Sequence, residues 1–354
     1  MKFDEKKLDN AFSLIDKGIE NGVFSCAAAA VGDINGTVKI KIAGNKRIVP
    51  YKEPLQRYSL FDLASLTKVV ATNTLLMRML EMGLISMHDK ICEYLPDFNS
   101  DGKEDITIFN LVTHTSGLPA YVPFYKICSD FESSIKYICE EVKLNKVGVV
   151  EYSDLNFILL GKIIEIVLGG RLDKLSKEYI FNPLNMQHTS YNPKIGDFVP
   201  TEKYKDSDDI ICGVCHDENA RFFGGISGHA GLFSTIDDMI KFAEMLLNKG
   251  KANGEVFLSY PTYVRMIKDY TKGNSESRGL GWCIKGNTSA GGDLFSEEAF
   301  GHTGFTGTSL WVDPFYGVYI ILLTNRVHPT RNNIKILRFR RIFHNAVMAS
   351  LYEE

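Results

Sequence analysis

No stretch of this chain is long and apolar enough to cross a membrane. The opening residues, Met1-Lys2-Phe3-Asp4-Glu5-Lys6-Lys7, are not followed by the apolar run of a secretory signal. Instead Leu8, Phe12, Leu14, Ile15 and Ile19 recur at helical spacing among charges. The expectation is a cytoplasmic protein without a membrane span. An excess of one charge is also missing, because a net charge of −3 leaves no electrostatic footprint for nucleic acid. The basic run Arg338-Phe339-Arg340-Arg341 is interleaved with apolar residues and reads as the outer face of a C-terminal helix. Cysteine is sparse and odd in number: seven residues (Cys26, Cys92, Cys128, Cys139, Cys212, Cys215, Cys283) scattered through mostly apolar segments. That suits reduced thiols better than a disulfide framework. No internal repeat or low-complexity segment is visible.

What is present is an ordinary globular composition, 45% hydrophobic and 23% charged over 354 residues. The length suggests two domains, or one with a large insertion. Near the start, Cys26 to Gly32 and Thr37 to Ala43 flank an Asn35-Gly36 pair, a strong hairpin signal. Near the end, Thr308 to Val312 and Tyr316 to Leu323 flank Asp313-Pro314-Phe315 and form a second one. Between them lie helices, among them Asn156 to Leu168, stopped by Gly169-Gly170. A helix from Thr235 to about Asn248 and another from about Asn333 to Leu351 follow. The fold class expected is α/β (α+β): an antiparallel sheet shared by the two chain ends, flanked by helices, with a helical domain inserted. The expected division is 1–60 plus 220–354 for the sheet domain and 61–219 for the helical one. An active site would lie in the cleft between them.

Chemistry is signalled first at Asp62-Leu63-Ala64-Ser65-Leu66-Thr67-Lys68, which opens a long apolar segment. Residues three apart on a helix sit side by side, so Lys68 would lie next to Ser65. A serine hydroxyl needs a neighbouring base before it becomes a nucleophile, and a lysine in a dry pocket can become one. The pattern alone is weak, since Ser100 with Lys103 and Ser133 with Lys136 match it too. Ser100 lies in the turn-like Asn99-Ser100-Asp101-Gly102 and Ser133 in a polar stretch, where its lysine is expected in solvent. Only Ser65 opens an apolar helix.

Glu151-Tyr152-Ser153-Asp154 places a phenol and a carboxylate two residues apart before a helix. A phenol beside an ammonium ionises more easily and can act as general base or acid. The plainer reading is a helix cap by Ser153 or Asp154 with Tyr152 packed beneath. Phe300-Gly301-His302-Thr303-Gly304-Phe305-Thr306-Gly307 is glycine-rich and precedes a strand. Its main-chain N–H groups could hold an oxyanion, and His302 and Thr303 could meet a substrate carboxylate. The plainer reading is a turn with a hydrogen-bonded histidine.

Together and in this order, Ser65-x-x-Lys68, Tyr152-Ser153-Asp154 and His302-Thr303-Gly304 resemble the penicillin-recognising serine hydrolases, in particular the class C β-lactamase-like family. Leu111 to Pro119, Tyr152 to Gly161, Asn182 to Met186 and Gly228 to Thr235 are similar to that family as well. The resemblance implies a β-lactamase/transpeptidase-like fold and an acyl-enzyme mechanism without metal or cofactor. Ser65 would attack a carbonyl while Lys68 and Tyr152 exchange its proton. The backbone N–H groups of Ser65 and Phe305 would form the oxyanion hole, and Asp154, His302, Thr303 and Gly304 would bind substrate. The partner implied is a small molecule or peptide; the oligomeric state is left open.

Two departures bear on substrate. Asp154 stands where β-lactamases usually have asparagine; a carboxylate there holds Lys68 charged and cannot donate to a substrate carbonyl. His302 stands where many have lysine. Cys215 to Ala220 and Leu323 to Pro329 look like a subgroup of cell-wall-related hydrolases that includes muramoyl-peptide amidases. Two rivals remain. Cys212-Gly213-Val214-Cys215-His216 has the spacing of a c-type haem attachment site, but no export signal accompanies it and the subgroup stretch accounts for His216. The other is a penicillin-binding sensor that acylates at Ser65 without turnover.

Overall fold

The computed structural model describes residues 1–204, 209–286 and 290–353. After a short strand, Lys2–Phe3, that pairs with Leu351–Tyr352, the chain forms helix α1 (Glu5–Glu20), whose first turn is capped by the Asp4 carboxylate accepting from the Lys7 N–H at 3.0 Å. Its buried residues Leu8, Ala11, Phe12 and Ile15 recur every three or four positions, the spacing of one helical face.

Strands β1 (Cys26–Asp33) and β2 (Gly36–Arg47) form the hairpin expected from Asn35-Gly36, with Gly36 at φ +122°. With β3 (Glu53–Pro54), β4 (Cys283–Ile284), β5 (Phe300–Thr303), β6 (Ser309–Asp313) and β7 (Val318–Thr324) they make a seven-stranded antiparallel sheet. Its order is β4-β5-β6-β7-β1-β2-β3, so the two ends of the chain meet at β7 against β1, with Ile321 opposite Ala30. A strand's side chains alternate between faces, and β7 obeys this with apolar residues on both. Val318, Ile320 and Leu322 pack under α1 and the terminal helix, while Ile321 and Leu323 pack into the larger core.

The middle of the chain supplies the helices of that larger core. Buried π-helix Lys68–Asn73 runs into α2 (Thr74–Glu81). Helix α3 (Asp154–Leu168) buries Leu155 to Gly161 continuously, as a helix surrounded by protein must, and ends at Gly169 in the left-handed conformation. Helix α4 (Ile236–Leu247) lies on the β1–β7 face, and α5 (Ile336–Met348) closes the opposite face beside α1. Phe12 and Phe343 meet there edge to face, 5.6 Å between ring centres. Among the described residues no helix is long and apolar enough to cross a membrane.

The basic run of α5 departs from expectation. Arg338 and Arg341 are exposed, but Arg340 is only 4% exposed and points inward with Phe339. One turn of a helix separates these fates, which an interleaved sequence cannot distinguish by composition. A small three-stranded sheet carries no signal in the sequence: Phe61–Asp62 pairs with Leu232–Ser234, and that strand with Ser190–Tyr191. It delivers the segment that carries Ser65.

Candidate active site

Ser65 follows the small sheet by three residues. Ala64 sits at φ +47°, a costly left-handed conformation for a residue with a side chain. The Asp62 carboxylate holds it, accepting from the Ala64 N–H at 2.8 Å with one oxygen and from the His216 N–H at 2.6 Å with the other. Burial pushes the Asp62 carboxyl up, and those backbone donors oppose the shift. The turn around Ala64 places Ser65 at the cavity surface, half-buried, with the Lys68 N–H bonded back to the Ser65 carbonyl at 3.1 Å.

Lys68 is fully buried. Its ammonium has three protons and three acceptors: Ser65 Oγ at 3.0 Å, Asp154 Oδ1 at 2.6 Å and the His229 carbonyl at 3.0 Å. Burial works against its charge, but Asp154 and then Tyr152 outweigh it and hold Lys68 above the ordinary lysine range. A buried charge is tolerable only with this degree of pairing. Asp154 reaches the lysine as the first residue of α3, its own N–H bonded to the Ala120 carbonyl at 3.0 Å. The simple helix-cap alternative does not describe this turn: Ser153 Oγ donates to the Pro119 carbonyl at 2.7 Å and caps nothing.

The Tyr152 ring lies 5.1 Å from the Lys68 ammonium and 5.2 Å from the Arg278 guanidinium carbon. His114 and His302 flank it at 4.7 and 5.9 Å between ring centres. Both histidines are buried, and burial, then Arg278 and Lys68, pushes each well below the ordinary histidine value. Their tautomers follow from their partners. His114 Nδ1 accepts from the Ser153 N–H at 3.1 Å, so its proton is on Nε2. His302 Nδ1 donates to the Thr303 carbonyl at 2.9 Å, which makes Nε2 an acceptor; that atom has no partner among the described residues.

Thr303, Gly304 and Phe305 form the opposite wall. Gly304 is required there: an added Cβ would stand 2.1 Å from Thr308 Oγ1 and 2.4 Å from the Leu63 carbonyl. The turn is stitched to the Ser65 segment by Thr306 Oγ1 donating to the Asp62 carbonyl at 2.8 Å and Thr308 Oγ1 to the Leu63 carbonyl at 3.0 Å. The backbone N–H groups of Ser65 and Phe305 have no hydrogen-bond partner among the described residues. Two unpaired donors beside a serine hydroxyl are free to receive a hydrogen-bond acceptor brought to that hydroxyl. Ser65, Tyr152, His302, Thr303, Gly304 and Phe305 all line one cavity of about 540 Å³, which continues past Arg278 toward α5. Lys68 and Asp154 are not part of its wall; they join the expected site residues through the Lys68 ammonium, which bonds Ser65 Oγ and Asp154 Oδ1.

Asp217 and His229, which the sequence presents only inside the longer stretches Cys215 to Ala220 and Gly228 to Thr235, adjoin the site. Asp217 Oδ1 accepts from His229 Nε2 at 2.8 Å, and these two with Asp154 have ligand atoms all within 4.8 Å of one another. Burial works against the Asp217 carboxylate, but the neighbouring His229, the Ala220 N–H and then Lys68 outweigh it and hold the carboxyl below its ordinary range. The donor set could suit a divalent ion, but the cation it faces is Lys68. Arg278, Arg326 and Arg340 also line the cavity, and no sequence signal singled them out. The haem-like stretch is occupied otherwise: Cys215 and His216 are buried, and His216 Nε2 lies 3.1 Å from Glu202. All seven cysteines are free.

A family model described as Beta-lactamase matches residues 12–344. N-acetylmuramyl-L-alanine amidase of Bacillus subtilis (strain 168) is 31% identical over 92% of this chain and 82% of its own length. A protein of Escherichia coli (strain K12) named "Putative D-alanyl-D-alanine carboxypeptidase" is 34% identical over 76% of this chain and 70% of its own. Among solved structures, EstCE1, a hydrolase with promiscuous acyltransferase activity, superposes with a TM-score of 0.79 at 19% identity, covering 97% of this chain and 99% of that one; at that identity the likeness is one of fold. The match over most of the chain and the two relatives above 30% identity carry one conclusion: this chain belongs to the Beta-lactamase family, a family of serine hydrolases.

Proposed function

We propose that the protein hydrolyses an amide or ester through an acyl-enzyme on Ser65, and that its substrate is a peptidoglycan-derived peptide or related compound. The observation that carries the mechanism is the Lys68 ammonium 3.0 Å from Ser65 Oγ with its other two protons engaged. A lysine so held orients the hydroxyl and stabilises the alkoxide as it forms. Since Asp154 keeps Lys68 protonated, Tyr152 is the group left to accept the serine proton and later return it to the leaving group. The N–H groups of Ser65 and Phe305 receive the oxyanion. Water then releases the acyl group.

The substrate class rests on the amidase and carboxypeptidase relatives and on the cavity. Arg278 and Thr303 can meet a substrate carboxylate, whereas the neutral His302 offers an acceptor nitrogen and cannot. Asp154 in place of an amide disfavours β-lactams. A screen of the wild type and Ser65→Ala against nitrocefin, nitrophenyl esters, D-Ala-D-Ala peptides and muramoyl-peptides tests the reading. Turnover of a peptide or muramoyl-peptide that vanishes in the variant is expected; full activity in the variant would overturn it. The charged Lys68 also supports a second reading, a sensor that acylates and stays acylated. Mass spectrometry after a labelled penicillin separates the two, because a stable adduct without turnover of any substrate would favour the sensor.

A further inference from the structure

Arg340 is a buried cation with no carboxylate partner among the described residues. Burial, then the charge of Arg326, pushes it down to about 9, which still leaves it charged at neutral pH. An uncompensated buried charge is costly, so its placement calls for a reason. Its Nη2 donates to the Gly304 carbonyl at 2.8 Å and the Thr308 carbonyl at 3.1 Å. The Gly304 carbonyl and the Phe305 N–H are opposite ends of one planar peptide group. Among the described residues the only cis bonds precede Pro50 and Pro329, so this group is trans and its oxygen and hydrogen point in opposite directions. The Gly307 N–H also reaches that oxygen across the turn, at 3.1 Å, and Arg340 adds the shorter, charged bond; with the oxygen so held the Phe305 N–H lies on the far edge, where nothing among the described residues accepts it. The next carbonyl, that of Phe305, is held by Arg326 Nε at 2.8 Å, and the lack of room at Gly304 blocks the turn from the other side.

We propose that Arg340 is a positioning residue for the oxyanion hole: by gripping the Gly304 carbonyl it aims the Phe305 N–H and sets a positive charge one peptide group behind the developing oxyanion. Donation to a carbonyl also polarises the peptide and strengthens its N–H as a donor. This inference rests on the acyl-enzyme reading of Ser65, and the test separates the two. Wild type, Arg340→Gln and Arg340→Lys are compared for labelling of Ser65 by a penicillin or a nitrophenyl ester, for kcat and KM, and for inhibition by phenylboronic acid, which forms a tetrahedral adduct on serine. Losing one well-aimed oxyanion donor costs roughly 100–1,000-fold, so misaiming it in Arg340→Gln should cost about 10–100-fold in kcat. KM should change little, and boronate affinity should fall by a similar factor. Arg340→Lys, which keeps a cation within reach of the Gly304 carbonyl, should recover most of both. An Arg340→Gln variant with unchanged kcat and boronate affinity overturns the proposal, whatever its melting temperature. If that variant does not fold, Arg340→Lys decides: parallel small losses in kcat and boronate affinity support the proposal, and a change in KM alone overturns it. Wild type unlabelled at Ser65 would overturn both readings; labelled wild type with an unaffected Arg340→Gln would overturn this one only.

Discussion

Two lysines of this chain stand in the same local geometry and lead different lives. Lys68 returns its backbone N–H to the Ser65 carbonyl at 3.1 Å; Lys103 returns its own to Ser100 at 3.0 Å. Both side chains are fully buried. Lys68, however, meets a carboxylate, a serine hydroxyl and a carbonyl. Lys103 Nζ donates to the Cys139 carbonyl at 2.7 Å, lies 5.8 Å from the Phe98 ring and has no carboxylate partner among the described residues. Burial consequently pushes Lys103 below the ordinary lysine value while Lys68 is held above it. The third pair is different again: Ser133 belongs to a capping box and the Lys136 side chain is 64% exposed. A Ser-x-x-Lys turn is therefore a local shape, and the neighbours decide whether it is a site.

The largest effect that would sharpen this contrast is at the serines. Ser65→Ala should abolish labelling and cut hydrolysis by roughly 10,000-fold or more, as loss of a serine nucleophile does. Ser100→Ala should leave the rate unchanged within error, and a matching loss there would break the comparison. Next come the two groups proposed to act on the Ser65 hydroxyl, Lys68 by holding it and Tyr152 by taking its proton: Lys68→Met and Tyr152→Phe should each lower kcat by about 100–10,000-fold, with Lys103→Met as the silent control in the same assay.

Asp154→Asn should act more gently and in a readable direction. Without the carboxylate the Lys68 pKa falls, so the limb of the pH–rate profile that reports Lys68 should move to lower pH. Activity on β-lactams or peptides should rise, since an amide can donate where a carboxylate cannot. An unmoved profile would show that Asp154 does not set the charge of Lys68.

The smallest effect concerns stability. Lys103 binds its proton less readily folded than unfolded, so its presence weakens the fold most at low pH, and the penalty fades as pH rises toward the ordinary lysine value of about 10.4. Urea melts of Lys103→Met against wild type should show a gain on the order of 1 kcal/mol near neutrality. That gain should shrink by pH 10; one that grew with pH would reverse the assignment.

Much of the architecture was legible because its signals are local. Asn35-Gly36 between two strand-like runs is a strong hairpin signal, and Gly169 stops α3 in the left-handed conformation. The site was legible as three separated stretches through family likeness rather than through propensity. What stayed hidden depends on contacts across the chain. The inward turn of Arg340 needs the Gly304 and Thr308 carbonyls, 36 and 32 residues away. The burial of Lys103 needs the Cys139 carbonyl, and the Ala64 turn needs the small sheet that brings Leu232 beside Leu63.

By itself the sequence determined the period and punctuation of each element, and the turn that sets Lys68 beside Ser65, because those follow from dihedral preferences and spacing over a few residues. Only the tertiary structure decided which of the three matching lysines is charged, buried and paired. Charge in a protein interior is set by what surrounds it within a few ångströms, and here those groups come from Asp154, His229 and Tyr152, far along the chain.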